Sequence, residues 1–480
     1  MKEYEGSFKA LKHKQPQRKS TTKRRFLRKS VASVLLLNLL CFSLAPVMAL
    51  AEGEQTESTS TESTTTETTT VQTTATSIPS VNSLGLEVSS AILLEPVSGQ
   101  ILLNVNGDQP LPPASMTKMM TEYIVAELVK QGKFSWDDVV TVGKNAAQTI
   151  GSRIFLAEGD QHTIEELYTA MAIASANDAT VALAEHVAGS EQAFVKMMND
   201  EAKRMGMNTA HFANSTGLDI ADMPEGFRPA DGQETVMSAL DAAILAKYIV
   251  TDHPDFTRFT TIQSKKFRER DTSPMVNLNW MLEANKEVTN FKQFAYEGLD
   301  GLKTGHTSNA GNCFTGTAER NGMRLISVVM GTASDKARFV ETRKVLDFGF
   351  NNFETKQIVP PKTTVAGTET VTVKKAKNTE IPVVTDQAVS FVVPKGADTS
   401  AVQPTVTLAD EGTLTAPLKQ GTKVGTVTYS FKAPGMDQTL EKTVNLITAE
   451  DAEKAGWFKL MMRAIGEFFS DLFNGIKNLF

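Results

Sequence analysis

The spacing of apolar positions changes several times between residues 86 and 350, and each change predicts a different kind of secondary structure. Residues 90–95 and 100–104 read as two strands around the turn Pro96-Val97-Ser98-Gly99, which predicts a β-hairpin. The middle of this region instead carries apolar residues three and four apart, which is typical of helices. The helical pattern covers residues 115–128, 163–174, 178–187, 194–205 and 238–250.

Strand-like patterns return after this helical section. Residues 303–307 read as part of an inner strand, and residues 312–319 and 323–332 flank Asn321-Gly322, a strong hairpin signal. A last helix over residues 337–348 is expected to cover the sheet. A hairpin, a helical insert, an antiparallel sheet and a late helix together predict an α+β domain with an α-helical subdomain, over residues 81–357.

A second domain is expected after Pro360-Pro361. Four runs of residues alternate between apolar and polar side chains, as β-strands do, and Gly and Pro interrupt them: residues 370–374, 388–393, 405–408 and 423–431. These runs predict a small β-rich domain over residues 358–449. It contains no candidate catalytic cluster, so we expect it to act as a spacer or a partner surface.

Residues 450–480 end in a helix with two unlike faces. Apolar residues recur at spacings of three and four residues from Trp457 to Leu479. Charged residues lie at every fourth position along the opposite face: Lys459, Arg463, Glu467 and Asp471. Charges in every turn predict that this helix does not span a bilayer. Its aromatic face suits a helix that lies in the membrane interface. The ordinary alternative is a helix packed on its own domain.

The first 80 residues predict export rather than a folded domain. Residues 1–51 hold 11 basic and 2 acidic residues, and the basic ones all precede an apolar run. The segment ends in the small-residue site Ala49-Leu50-Ala51. This order predicts a cleaved signal peptide. An uncleaved signal anchor is the alternative. Residues 52–80 are rich in Thr, Ser and Glu and predict a disordered linker. Because the net charge of the whole chain is −6 despite this basic start, the remainder is strongly acidic and is not expected to bind nucleic acid.

Three short motifs carry the candidate chemistry. Ser115 and Lys118 are three residues apart at the start of a helical pattern, so hydroxyl and amine are expected side by side. The second motif, Ser175-Ala176-Asn177, ends a helix that begins with a capping box at Thr163. The third is Lys303-Thr304-Gly305, in a strand-like stretch. Each motif alone has an ordinary structural reading, such as helix capping, but the three in this order form the signature of penicillin-recognising serine enzymes.

With these motifs the chain resembles the D-alanyl-D-alanine carboxypeptidases, the low-molecular-mass penicillin-binding proteins. The resemblance extends from about Val88 to the C-terminus and includes residues 151–159 and Thr216-Gly217-Leu218-Asp219. It implies a β-lactamase/transpeptidase-like catalytic domain. It also implies a D-Ala-D-Ala carboxypeptidase that acts on peptidoglycan pentapeptides outside the cytoplasmic membrane and is acylated by β-lactam antibiotics.

The same resemblance implies roles for individual residues. Ser115 is the expected nucleophile and Lys118 its base. Ser175 is expected to relay a proton, and Asn177 to bind the substrate amide and steady Lys118.

At the substrate end, Lys303 is expected to attract the terminal carboxylate and Thr304 to hydrogen-bond it. Gly305 would let the substrate backbone approach, and the N–H groups of Ser115 and His306 would form the oxyanion hole. Arg338 is placed by the resemblance near the terminal carboxylate, with a solvated helix position as its alternative. No metal or cofactor is expected.

Two other functions remain open on the sequence. A class A-type β-lactamase uses the same three motifs, but it favours Ser-Asp-Asn where this chain has Ser175-Ala176-Asn177. A non-enzymatic wall-attached binding protein would suit the linker and the β-rich domain, but it has no need of three intact motifs.

Overall fold

The computed structural model of the protein describes residues 78–410, 412–433, 436 and 438–477. The predicted signal peptide and residues 52–77 of the predicted linker lie outside the described residues. The elements of the first part of the described chain are, in order, β1 (Ser90–Glu95), β2 (Gln100–Val105), α1 (Lys118–Lys130), β3 (Val139–Thr141), α2 (Lys144–Gln148), β4 (Gln161–Thr163), α3 (Ile164–Ala174), α4 (Asn177–Ala188), α5 (Glu191–Met205), α6 (Ala239–Asp252), α7 (Thr257–Thr260), β5 (Ser264–Lys265), β6 (Met275–Val276), β7 (Leu299–Thr307), β8 (Gly311–Arg320), β9 (Met323–Thr332) and α8 (Asp335–Asn352).

The predicted α+β fold is confirmed. Strands β1, β2, β7, β8 and β9 form one antiparallel sheet in the order β2-β1-β9-β8-β7, which leaves β7 at an edge. Helix α8 packs on one face of the sheet and α6 on the other. The hydrophobic core therefore has two layers, and a third cluster fills the helical subdomain around α3 and α4.

The local signals in the sequence act as expected in this domain. Thr163 and Glu166 form the predicted capping box at the start of α3. The expected helix at Ser115 begins later than predicted, because Ala114–Thr117 forms a 3-10 turn and α1 starts at Lys118. Ala114 has a φ of 48°, which fits a tight turn better than a continuous α-helix.

The remaining elements are β10 (Phe353–Val359), β11 (Thr370–Thr372), β12 (Glu380–Thr385), β13 (Val389–Pro394), β14 (Gln403–Leu408), β15 (Lys423–Phe431), β16 (Leu440–Thr448) and α9 (Trp457–Lys477). The expected β-rich domain is present as a five-stranded sheet in the order β11-β12-β16-β15-β14 and a two-stranded sheet of β10 and β13. Its core is separate and apolar. Strands β10, β12 and β16 are not among the predicted strands, and β10 runs across the expected boundary at residue 357.

Helix α9 carries a row of exposed apolar side chains. Trp457 is 76% exposed and Phe473 is 72% exposed, and the same face includes Phe468 and Phe469. On the other side, Lys459 Nζ donates to the carbonyl of Lys377, at 2.6 Å. No helix in the described part of the chain combines the length and the apolar character that crossing a membrane needs.

Candidate active site

Ser115 and Lys118 face each other at the junction of the 3-10 turn and α1. Residues three apart eclipse one another in a 3-10 turn, and Lys118 Nζ lies 2.9 Å from Ser115 Oγ. Lys118 is fully buried, and its second hydrogen bond goes to the carbonyl oxygen of Thr216, at 2.8 Å. Burial lowers the pKa of Lys118 well below its ordinary value, and the positive charge of Lys303 lowers it further. The pair therefore has the arrangement of a serine next to a lysine that can act as a base.

The carbonyl that holds Lys118 is itself fixed by a tight turn. Asn214 Oδ1 accepts hydrogen bonds from the N–H groups of Thr216 and Gly217, at 3.1 and 2.7 Å. Gly217 has a φ of 80°, and a Cβ at this position would lie 1.9 Å from the carbonyl oxygen of Ala114. Only glycine fits this contact, which joins the turn to the nucleophile segment. Sequence reasoning noted this stretch but not the role of Thr216, because a main-chain carbonyl has no side-chain signature.

Ser175 lies in the break between α3 and α4, where it has a left-handed φ of 56°. Its Oγ accepts a hydrogen bond from Lys303 Nζ, at 2.8 Å. The structure thus brings the second and third motifs into direct contact. A non-glycine residue in this conformation is strained, and such strain is often found at functional sites.

Asn177 lies at the start of α4 and makes a different contact from the one expected. Its Nδ2 donates to the carbonyl of Ile150, at 2.7 Å. Its Oδ1 is buried and has no hydrogen-bond partner among the described residues. The expected support of Lys118 by Asn177 is therefore not observed, since Thr216 takes that role. The free Oδ1 remains available to accept a hydrogen bond from a ligand.

Asp178, the next residue, fixes the loop that borders Asn177. Its carboxylate accepts hydrogen bonds from the N–H groups of Ile154 and Leu156, at 3.1 and 3.0 Å. Arg268 holds the same loop from outside by donating to the carbonyl of Ile154, at 2.6 Å. The loop beside the second motif is therefore held from both sides.

The third motif lies on β7, so the prediction that these residues belong to an inner strand is wrong, because β7 is at the edge of the sheet. Lys303 is buried and also donates to the carbonyl of Thr304, at 3.2 Å. Thr304 is buried next to it. A Cβ on Gly305 would lie 2.5 Å from the carbonyl oxygen of Pro113 and 3.2 Å from the nitrogen of Met116. The glycine therefore allows β7 to pack directly on the nucleophile turn, a requirement that the sequence interpretation did not include.

His306 lies near the end of β7, and Arg338 reaches the same strand from α8. The exposed imidazole of His306 has its Nδ1 3.0 Å from the carbonyl oxygen of Gly311. Arg338, on α8, is 5% exposed and donates from one guanidinium nitrogen to the carbonyl of Gly305, at 3.2 Å. Its other terminal nitrogen pairs with Asp335 at 2.8 Å. Arg338 is thus a buried residue behind β7 and not a solvated helix position.

Burial dominates the electrostatics of the site. The pKa of Lys303 is lowered to about 8 by burial, with the charge of Arg338 acting in the same direction. The amine of Lys118, with its lowered pKa, therefore lies beside Ser115, the ammonium group of Lys303 lies beside Ser175, and the guanidinium of Arg338 holds the carbonyl of Gly305. Such a site favours an anionic ligand and a base that is neutral near physiological pH.

The family models divide the chain in a way that agrees with this fold. The model described as D-alanyl-D-alanine carboxypeptidase matches residues 73–334, and the model of the penicillin-binding protein 5 C-terminal domain matches residues 353–454. These matches cover the catalytic fold and the β-rich domain separately.

Similar proteins agree with both matches. The D-alanyl-D-alanine carboxypeptidase DacF of Bacillus subtilis is 34% identical over 387 residues, which is 81% of this chain and 91% of DacF. Penicillin-binding protein 5 from Haemophilus influenzae is 32% identical and has a TM-score of 0.59, with 77% of this chain and 98% of that chain covered. PBP3 from Streptococcus pneumoniae, a peptidoglycan synthesis regulatory factor, is 28% identical with a TM-score of 0.67, over 77% of this chain and all of the other. The chain therefore belongs to the D-alanyl-D-alanine carboxypeptidase family of penicillin-binding serine peptidases.

Proposed function

We propose that this protein removes the terminal D-alanine from peptidoglycan pentapeptides through an acyl-enzyme on Ser115. The observation that carries the proposal is the 2.9 Å separation of Ser115 Oγ from the buried amine of Lys118. At this distance a neutral amine accepts the hydroxyl proton as the oxygen attacks a carbonyl carbon. The lowered pKa of Lys118 supports this role, because an ordinary lysine is protonated at neutral pH.

Acylation then proceeds with the other two motifs. The N–H groups of Ser115 and His306 stabilise the tetrahedral oxyanion, and Asn177 Oδ1 accepts a hydrogen bond from the substrate amide. The proton taken by Lys118 passes by way of Ser175 to the nitrogen of the departing D-alanine. Lys303, bonded to Ser175 Oγ, keeps that hydroxyl oriented. A water molecule subsequently attacks the ester at Ser115 and releases the shortened peptide.

The carboxylate of the departing residue binds at the Lys303 end of the site. Lys303 supplies charge and Thr304 a hydroxyl group. Arg338 supports this end by holding the carbonyl of Gly305 and adding to the positive potential. The substrate is thus recognised by its free C-terminal carboxylate, which distinguishes a carboxypeptidase from an endopeptidase.

β-Lactam antibiotics are expected to acylate the same serine, and this gives the direct test. The protein should gain the mass of one penicillin molecule, and the modified peptide should contain Ser115. Ser115→Ala should not gain it. An adduct of equal yield in Ser115→Ala would refute the assignment of the nucleophile.

We also propose that the enzyme is exported and held at the outer face of the cytoplasmic membrane by α9. Export is supported by the signal-like residues 1–51. Peripheral attachment is supported by the exposed aromatic face of α9, while Lys459 on its other side bonds the β-rich domain. The β-rich domain would then space the active site from the membrane.

Attachment is tested with a chain that lacks residues 455–480. It should be released into the soluble fraction with its activity intact. Substituting Phe468 and Phe469 by Ser should have nearly the same effect, whereas Lys442→Ser on β16 should leave the protein with the membrane. If the truncated chain still sediments with membranes, α9 is not the anchor.

A further inference from the structure

Glu191 is a buried carboxylate behind the turn that holds Lys118, and the chemistry above does not use it. It is the first residue of α5, which begins directly after its capping residue Ser190. Only 3% of Glu191 is exposed. Burying a carboxylate is unfavourable unless its oxygens accept hydrogen bonds, so the partners of Glu191 indicate what this burial achieves.

Both carboxylate oxygens of Glu191 have partners on other segments of the chain. Oε1 accepts hydrogen bonds from the N–H group and from the hydroxyl group of Ser215, at 3.0 and 2.7 Å. Oε2 accepts a hydrogen bond from Nδ2 of Asn145 on α2, at 2.8 Å. Ser215 and Asn145 are themselves buried. The carboxylate therefore joins α2 and the start of α5 to the segment that contains Ser215.

Ser215 directly precedes Thr216, whose carbonyl oxygen accepts a hydrogen bond from Lys118 Nζ at 2.8 Å. The carbonyl oxygen of Ser215 is also fixed, because Thr121 on α1 donates its hydroxyl group to it at 2.9 Å. Glu191 thus holds the N–H and hydroxyl groups of Ser215, and Thr121 holds its carbonyl. With Ser215 fixed at both ends, the next carbonyl along the chain has a defined position too.

We propose that Glu191 is a positioning residue of the acylation reaction. Through Ser215 it fixes the carbonyl of Thr216, and it thereby keeps the amine of Lys118 in place beside the nucleophile. This role rests on the proposed function, in which Lys118 is the base. Glu191 acts through the main chain and does not touch the reacting atoms. The ordinary alternative is that Glu191 only stabilises the first turn of α5, where a negative charge is favourable.

Acylation of the whole protein by a fluorescent penicillin tests this role. Following the reaction over a range of penicillin concentrations separates the noncovalent dissociation constant from the acylation rate constant. A residue that positions only the base should change the rate constant and leave the dissociation constant as it is. Glu191→Ala should lower the rate constant about tenfold, less than the cost of a full 1 Å displacement, about a hundredfold, because Asn214 and Thr121 still hold the turn.

Asp241→Ala is the matched control. Asp241, on α6, is also 3% exposed, and its carboxylate likewise accepts from the N–H and hydroxyl groups of a single residue, Thr209. Thr209 does not belong to the turn at Thr216. Asp241→Ala therefore removes the same kind of contact at another place. It should lower the melting temperature, as Glu191→Ala does, but it should leave the acylation rate constant unchanged.

Glu191→Gln separates hydrogen bonding from charge. The amide oxygen can still accept from Ser215. The amide nitrogen can donate to Asn145 Oδ1 once the Asn145 amide turns over, and this oxygen is buried with no hydrogen-bond partner among the described residues. Glu191→Gln should therefore recover most of the acylation rate. If Glu191 acted only through its charge in the first turn of α5, Glu191→Gln would resemble Glu191→Ala and the proposal would be wrong.

Two further outcomes would overturn the proposal: a wild-type acylation rate constant in Glu191→Ala, or an equal loss in Asp241→Ala. If Glu191→Ala does not fold, Ser215→Ala takes its place, because it removes the hydroxyl contact alone. Its rate constant should fall by a smaller factor, and an unchanged value would overturn the proposal.

Labelling of the wild type in the same experiment keeps the two hypotheses apart. A wild type that is labelled at Ser115, together with a Glu191→Ala variant that is labelled just as fast, refutes only the positioning role. An unlabelled wild type refutes the proposed nucleophile and the positioning role with it.

Discussion

Gly217→Ala tests whether the main-chain turn behind Lys118 sets the acylation rate. Gly217 is outside the three motifs. The main-chain carbonyl of its neighbour, Thr216, accepts a hydrogen bond from Lys118 Nζ at 2.8 Å. The added methyl group would lie 1.9 Å from the carbonyl oxygen of Ala114 and 2.6 Å from Thr117 Oγ1. Ordinary contacts begin near 3.4 Å. The turn and the nucleophile segment must therefore move apart by more than 1 Å.

The size of the effect follows from that displacement. A misplacement of about 1 Å in a catalytic group costs about a hundredfold in rate, so the acylation rate should fall by about a hundredfold or more. The left-handed φ of Gly217 adds a conformational cost of about 1 kcal/mol for alanine. Together with the steric overlap, the free energy of unfolding should fall by about 2–4 kcal/mol.

Stopped-flow acylation with a fluorescent penicillin measures the rate, and thermal unfolding measures the stability. Gly206→Ala is the control, because Gly206 has a φ of 79°, almost that of Gly217, but a Cβ there meets nothing within 4 Å. The control should lose about 1 kcal/mol of stability and none of its acylation rate. If Gly217→Ala is acylated as fast as Gly206→Ala, the turn does not position Lys118 and the reasoning is wrong.

Three further predictions concern charges in and around the site. Lys303→Ala should lower kcat/KM on a free D-Ala-D-Ala terminus by about ten- to a hundredfold, the effect of losing a hydrogen bond to a charged group; an equal loss on a C-terminally amidated peptide would contradict carboxylate recognition. Asp178→Asn should lower the free energy of unfolding by about 1–3 kcal/mol, because one side-chain oxygen no longer accepts from the loop at Ile154 and Leu156; unchanged thermal unfolding would count against this role. Lys118→Met should abolish acylation yet raise the melting temperature near neutral pH, and a lower melting temperature would show that burial of the amine is not unfavourable.

The sequence predicted the parts of the fold whose signals are local. The capping box at Thr163, the Asn321-Gly322 turn and the β1–β2 hairpin are each encoded within a few neighbouring residues, and each is present in the structure. β12 escaped prediction because it contains Pro382, which lacks the N–H group that a strand with neighbours on both sides normally uses. β10 escaped because it follows α8 directly at Phe353, with no Gly or Pro to end the helix.

The sequence pointed to the side chains of the candidate site but not to the main-chain contacts that hold them in place. Ser115, Lys118 and Lys303 stand in motifs, and the structure brings them together. Thr216 acts through a carbonyl, which every residue has, and its position depends on Asn214 and a turn almost 100 residues after Lys118 along the chain. Such contacts between distant segments are set by tertiary packing, and one sequence does not display them.

The expected stabilisation by Lys118→Met follows from the same burial that suits the lysine to its proposed role as a base. An exposed lysine in the unfolded chain keeps its ordinary pKa, whereas folding lowers the pKa of Lys118. Between those two pKa values the unfolded state binds the extra proton, so this group destabilises the fold there, and its contribution becomes less unfavourable as the pH rises. The gain from Lys118→Met should therefore be large near neutral pH and should shrink as the pH approaches the pKa of an ordinary lysine. The amine that we propose as the base is thus maintained at the expense of stability by the packing of α1, β7 and the Thr216 turn around it.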